Sequence, residues 1–182
     1  EPTDPAIARA VVGVLPPGAQ LVVSSSMPVR DVEWFAAGRP RVDVHANRGA
    51  NGIDGVVSTV VGVALGSERP TVGLLGDLAF LHDIGGLLSA KATGAATVFV
   101  VVDNAGGAIF EFLGQATSVE RPEFELLFGT PQPVDIAAVA AGFGVVVDEV
   151  KTVRSLMESV RAHTSSGTLA VVVIRTDRRA TV

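Results

Sequence analysis

Leu74–Asp83 reads LLGDLAFLHD. The apolar run "TVGLLG" (71–76) has strand character, closes on Gly76-Asp77, and is followed at once by a second apolar stretch. A carboxylate at that point has an ordinary reading as a turn or helix cap. It also has a functional one, because ligands of open α/β sheets bind outside the carboxyl ends of the strands. The segments on either side decide between the two.

Downstream, "ATVFVVVDN" (96–104) is a continuous Val-rich run, the pattern of a parallel strand buried on both faces. Between the two runs, "LHDIGGLLSAKATG" (81–94) predicts one glycine-weakened helix. Upstream, a helix is expected within 3–18, with Thr3 or Asp4 to cap it and Pro5 at its first position. A strand at 20–26 follows, then a helix over 27–38 started by Pro28, a strand at 41–46, and a helix at 54–66 capped by Asp54. Residues 105–133 read mostly as loop, with short helices near 109–113 and 123–129. A helix at 134–144, a strand at 145–150, a helix at 152–165 and a strand at 168–175 complete the chain. Strands alternating with helices at this spacing predict a doubly wound, mostly parallel open sheet with helices on both faces. The four segments after the strands, 24–30, 45–54, 76–83 and 103–110, are then expected on one rim.

Composition agrees with a covered sheet. Of the 182 residues 48% are hydrophobic and 18% charged, yet no apolar run approaches the roughly 20 residues of a membrane-spanning helix. A net charge of −5 without basic clusters speaks against nucleic acid. The absence of cysteine excludes disulfides and thiolate metal sites and fits a cytoplasmic protein. The chain opens at Glu1 with no Met, as expected of a piece of a longer polypeptide.

Asp77 and Asn104 each follow a strand, one strand–helix–strand unit apart. That arrangement brings two side-chain oxygens to one end of a parallel sheet, the ligand type a hard cation such as Mg²⁺ takes together with phosphate oxygens. Gly106 and Gly107 leave room for a backbone carbonyl as a third ligand. Either residue alone reads as a cap or turn; the pair followed by Gly-Gly favours the metal. "ANRGANGIDG" (46–55) keeps the backbone bare where a strand passes into a helix. It is neither the dinucleotide fingerprint nor a phosphate-binding P-loop. Its Arg48 is a planar fork suited to a carboxylate, or an ordinary solvated arginine. "SSSMPVR" (24–30) delivers hydroxyls to a helix N-terminus, for an anion or simply to cap. His45, His82 and His163 have no metal-ligand spacing and are expected to be structural.

"GDLAFLHD" with "VVVDNAGG" resembles the thiamine diphosphate (ThDP) motif. More narrowly, "SSSMPVRD", "ANRGANGIDGVVSTVVGVALG" and "DNAGGAIFEFL" resemble the 2-succinyl-5-enolpyruvyl-6-hydroxy-3-cyclohexene-1-carboxylate synthases of menaquinone biosynthesis. The resemblance is strong from about Ser24 to Phe128. It implies ThDP with Mg²⁺ (or Mn²⁺) as cofactors, with Asp77, Asn104 and the Gly106 carbonyl as metal ligands. Gly76 and Leu78 would flank the diphosphate, Met27 would touch the cofactor, and Ile53 would prop it in its bent form. Ser26, Arg30 and Arg48 would line the substrate pocket and bind carboxylates. The implied reaction decarboxylates 2-oxoglutarate and adds the resulting carbanion to isochorismate. The usual Asn-Asn pair is Asp103-Asn104 here, with the ligand position kept. The activating glutamate of such enzymes comes from a pyrimidine-binding domain of a partner subunit. Residues 1–182 therefore resemble one C-terminal diphosphate-binding domain of a homodimer or homotetramer, inactive alone. An acetolactate synthase-like enzyme using pyruvate is the rival within the ThDP class, and a non-catalytic anion-binding α/β module the rival outside it.

Overall fold

The Val-rich run is a central strand whose first six residues are buried, as a strand covered on both faces must be. A computed structural model of the chain describes residues 2–39, 41–47 and 52–181. In it β1 (Gln20–Val23), β2 (Asp43–Ala46), β3 (Thr71–Gly76), β4 (Thr97–Asp103), β5 (Val146–Val150) and β6 (Ala170–Arg175) form one sheet. The order is β2-β1-β3-β4-β6-β5, and every neighbouring pair is parallel. The expected doubly wound α/β fold is the observed one, and the sheet is parallel throughout.

The strands alternate between two cores. Val98, Val100 and Val102 of β4 face one side, where α1 (Asp4–Val14) and α9 (Val153–Ser166) contribute Ile7, Val11, Leu156 and Val160. Phe99 and Val101 face the other, against α3 (Val56–Ser67), α5 (Gly86–Thr93) and α8 (Ile136–Gly142). A residue such as Phe99, 0% exposed, is sealed by layers on both sides. α2 (Met27–Phe35) packs on α1.

The helix expected over 81–94 is two. α4 (Asp77–His82) begins at the carboxylate itself, and the chain turns at Asp83–Gly85 before α5. Asp83 leaves the helical path to cap α3: its Oδ2 accepts from Ser58 N at 2.7 Å and its Oδ1 from Ser58 Oγ at 3.2 Å. Gly86 then passes so close to α3 that a Cβ would sit 2.9 Å from both Val57 Cγ1 and Ser58 Oγ. The expected Asp54 cap is replaced accordingly: the N-cap residue of α3 is Gly55, and Asp83 supplies the capping carboxylate. The Thr3 side chain does not cap α1 either. Within the loop region, a 3₁₀ turn (Ala108–Phe112), α6 (Gln115–Ser118), α7 (Arg121–Phe124) and a π turn (Glu125–Gly129) give more order than the sequence predicts. A final 3₁₀ turn covers Arg178–Thr181.

Candidate cofactor and metal site

From β1 the chain moves outward to the β2 edge, then returns to β3 on the other side of β1. Between β1 and β3 the winding reverses, and the loops leaving their carboxyl ends diverge to open a crevice. A cavity of about 820 Å³ occupies it. Ser26 after β1 lines it, as do Met27 and Arg30 in the first turn of α2, and the segment before α3 contributes Ile53. The turn after β3 contributes Gly76, Asp77 and Leu78, and the turn after β4 contributes Asn104 and Gly106. The structure thus gathers every candidate residue within the described chain. Arg48 lies outside the described residues.

Asp77 is 4% exposed. Its Oδ1 accepts from Leu78 N at 2.8 Å and its Oδ2 from Gly106 N at 2.7 Å, so the carboxylate ties the β3 turn to the β4 turn. Burial pushes its pKa up to about 7; the Leu78 and Gly106 amides pull it back and the Asp103 charge adds to the rise. Asn104 is 7% exposed, and its Nδ2 donates to Asp4 Oδ2 at 2.8 Å. Its Oδ1 is buried without a hydrogen-bond partner. The Gly106 carbonyl accepts from Ala108 N at 2.9 Å and keeps a second lone pair.

Two non-glycine residues in the left-handed region flank the same cavity. Ser26 has φ 73° and ψ −132°, and Ala105 has φ 60°. Gly106, at φ 125°, is required: a Cβ there would run into the Gly129 carbonyl and the Arg178 guanidinium. Arg178, itself 7% exposed, holds this turn from behind. Its Nη1 donates to the Ala105 carbonyl at 2.8 Å, its Nε lies 3.0 Å from Glu111 Oε1, and its Nη2 pairs with Glu125. Arg121 grips Glu111 from the other side at 3.0 and 2.8 Å, and these bonds hold the Glu111 carboxyl below its usual range. Arg30 Nη1 donates to the Ser26 carbonyl at 2.6 Å, which closes the first turn of α2.

Residues 34–174 match the family model "Thiamine pyrophosphate enzyme, C-terminal TPP binding domain". The chain belongs to this family. It is 48% identical over 181 residues to the 2-succinyl-5-enolpyruvyl-6-hydroxy-3-cyclohexene-1-carboxylate synthase of Myxococcus xanthus, covering 99% of the chain but 31% of that protein. The synthase of the same name from Bacillus velezensis is 39% identical over 93% of the chain and 29% of its own length. The chain therefore spans about a third of the curated relatives it matches. Among solved structures, benzoylformate decarboxylase from Polynucleobacter necessarius superimposes with a TM-score of 0.75 at 22% identity, over 96% of this chain and 33% of that one. A 4-hydroxybenzoylformate decarboxylase from Rhodococcus jostii gives 0.75 at 23%, over 96% and 32%. These likenesses establish the fold.

The residues of this TPP-binding domain fit the group that names the family. A buried, unpaired amide oxygen costs about 1–3 kcal/mol unless something bonds to it, and Oδ1 of Asn104, a residue that lines the cavity, is such an atom. With the Asp77 carboxylate and the Gly106 carbonyl it makes an all-oxygen donor set, the chemistry of a hard divalent cation bridging to phosphate. Among the described residues no group of three or more His, Cys, Asp and Glu could hold a metal, so thiolate or imidazole chemistry has no rival site there. The histidines sit elsewhere, as expected. His45 Nε2 is 2.7 Å from Gln20 Oε1, His163 Nε2 is 2.9 Å from Asp148 Oδ2, and His82 Nε2 is 3.6 Å from Asp54 Oδ1. Among the described residues no helix is long and apolar enough to cross a membrane.

Two acids and a base at the site escape the sequence reading. Asp4 and Asp31, 5% and 2% exposed, line the cavity, and Asp31 Oδ1 has no partner. Burial, then the nearby Asp4 charge, pushes the Asp31 carboxyl up to about 7. A signal is present in the spacing, because Asp4 shares the stripe of Ile7, Ala8 and Val11, and Asp31 lies one turn after buried Met27. Arg178 carries no comparable mark.

Proposed function

We propose that the chain is the C-terminal, cofactor-binding domain of a ThDP- and Mg²⁺-dependent synthase of menaquinone biosynthesis. The whole enzyme decarboxylates 2-oxoglutarate and joins the remaining carbons to isochorismate. The observation that carries the reading is the buried, unpaired Oδ1 of Asn104, a residue that lines one cavity together with Asp77, Gly106 and Arg30. The relatives bearing the synthase name align over nearly the whole chain, which supports this substrate pair over pyruvate.

Asp77, Asn104 and the Gly106 carbonyl hold Mg²⁺ in this reading, and the bare backbone at Gly76 with Leu78 flanks the diphosphate. Met27 and Ile53 would supply an apolar wall beside the cofactor. Bound ThDP supplies the electron sink for decarboxylation and carbon–carbon bond formation. Ser26, Arg30 and Arg48 orient substrate carboxylates; an arginine fork binds a carboxylate through two parallel hydrogen bonds, and both substrates are polyanions. The activating glutamate comes from a pyrimidine-binding domain across a subunit interface, so the enzyme is a cytoplasmic homodimer or homotetramer and the chain alone is inactive.

The test uses the full-length protein with ThDP and Mg²⁺, following isochorismate consumption with 2-oxoglutarate or pyruvate as donor. Turnover with 2-oxoglutarate alone is expected. Turnover with pyruvate alone overturns the substrate assignment, and Mg²⁺-independent ThDP binding that survives Asp77→Ala overturns the metal site.

A further inference from the structure

A carboxamide offers a metal one useful atom. Its oxygen has lone pairs to give, whereas its NH₂ group only donates hydrogen bonds, and the two ends have nearly the same shape. A site that uses Asn104 as a metal ligand must therefore fix which end faces the cavity. Asp77 has no such problem, because both of its terminal atoms are oxygens.

The side-chain partner of Asn104 is Asp4, one hundred positions away in sequence and on the same cavity. A carboxylate accepts and does not donate, so it bonds the NH₂ end and rejects the oxygen. Asn104 Nδ2 donates to Asp4 Oδ2 at 2.8 Å, and Oδ1, the other end of the amide, is left buried with no partner in the protein. Asp4 is held in turn, since its Oδ1 accepts from Thr176 Oγ1 at 2.7 Å. Thr176 is anchored to the same strand end by its backbone, through Thr176 N to Asp103 O at 3.0 Å. Asp4 stands in the first turn of α1, where an acid ordinarily caps its own helix. It makes no cap bond and is turned inward at 5% exposure. A helix start, the end of β4 and the segment after β6 thus meet on one amide.

We propose that Asp4 is a positioning residue that sorts the two ends of the Asn104 carboxamide, presenting oxygen to the metal, with Thr176 as its anchor. The inference rests on the metal-site reading above. It assigns Asp4 no contact with cofactor or substrate.

The experiment measures Mg²⁺ affinity at saturating ThDP by titration calorimetry on the full-length protein, with no turnover required. Asp4→Asn is nearly isosteric but accepts either end of the facing amide. It is expected to weaken Mg²⁺ about tenfold or more, the usual effect of losing a group that orients a metal ligand. Thr176→Val frees Asp4 without altering charge and is expected to cost about threefold, less than Asp4→Asn because Asp4 keeps its bond to the Asn104 amide. It also keeps the question open to test should Asp4→Asn fold poorly. The deciding variant is the double exchange Asp4→Asn with Asn104→Asp. With a carboxylate at position 104 both terminal atoms are oxygens and no sorting is needed, so affinity is expected to return to within about threefold of the parent. Parent-like Mg²⁺ affinity in Asp4→Asn overturns the inference. So does a double variant that binds no better than Asp4→Asn, which would leave Asp4 a packing role only. If the parent itself shows no Mg²⁺-dependent ThDP binding, the metal-site reading fails and this inference falls with it.

Discussion

Replacing Arg178 by methionine tests whether the Ala105–Gly106 turn is held from behind. Methionine fills similar space and removes the charge and the fork. Breaking a buried ion pair so as to strand one charge costs about 3–5 kcal/mol. Here the stranded charge is largely avoided, because Arg121 keeps its two bonds to Glu111 and its pairing with Glu125. What disappears is the charge-assisted bonding of Arg178 and the donor for the Ala105 carbonyl. Taking about 1.5–3 kcal/mol for the first and about 1 kcal/mol for the second gives roughly 2.5–4 kcal/mol in all. For a chain of this size that is a fall in Tm of roughly 5–15 °C. The assay is urea unfolding of the 182-residue chain followed by far-UV circular dichroism, with Arg178→Lys in parallel. The lysine variant keeps the charge but cannot reach the Ala105 carbonyl and both acids together, so it should lose about half as much. A loss below about 1 kcal/mol for Arg178→Met, or a parent-like Arg178→Lys, would refute the claim that this fork holds the turn.

The buried Asp31 sets a pH dependence. Its carboxyl is raised from 3.8 to about 7, so between those values the folded chain holds a proton that the unfolded chain releases. Stability therefore falls as pH rises from about 4 to about 7. Asp31→Asn, which cannot ionise, should match the parent at pH 4 and exceed it by up to about 4 kcal/mol at pH 8 without metal; equal pH profiles would contradict this. Gly106→Ala places a methyl group against the Gly129 carbonyl at a backbone angle that L residues rarely adopt. It should cost about 1–3 kcal/mol in thermal unfolding and abolish tight Mg²⁺-dependent ThDP binding, both read on one protein preparation. Leu156→Ala, at a fully buried position of α9, should destabilise by about 2–5 kcal/mol in urea while leaving ThDP affinity intact, since it touches the core and not the crevice.

Where one physical cause dominates, the sequence is readable. Continuous Val runs exist because a strand is covered on both faces, and "ATVFVVVDN" could hardly be anything else. Asp77, Asn104 and Gly106 are legible as a set: either polar residue alone reads as a cap or turn, and the pair after two strands, followed by Gly-Gly, is what points to a ligand. The break at Asp83–Gly85 is not legible, since it depends on Asp83 finding Ser58 across the fold. Order in 105–133 is hidden for a similar reason. The Arg178–Glu111–Arg121–Glu125 network joins positions that no local pattern connects. Asp4 is visible in the sequence but misleading, because a carboxylate in a first turn reads as a cap until its stripe is traced into the core.

The left-handed backbone at Ser26 and Ala105 places this domain on a trade-off between durability and work. A glycine at either position would relax a conformation that costs a side-chain-bearing residue about 1–3 kcal/mol. Selection for heat resistance alone, in the laboratory or in nature, should therefore drift toward glycine there. The gain would come from letting go of the turns that shape the crevice, so a sturdier domain chosen in this way would be a poorer host for its cofactor.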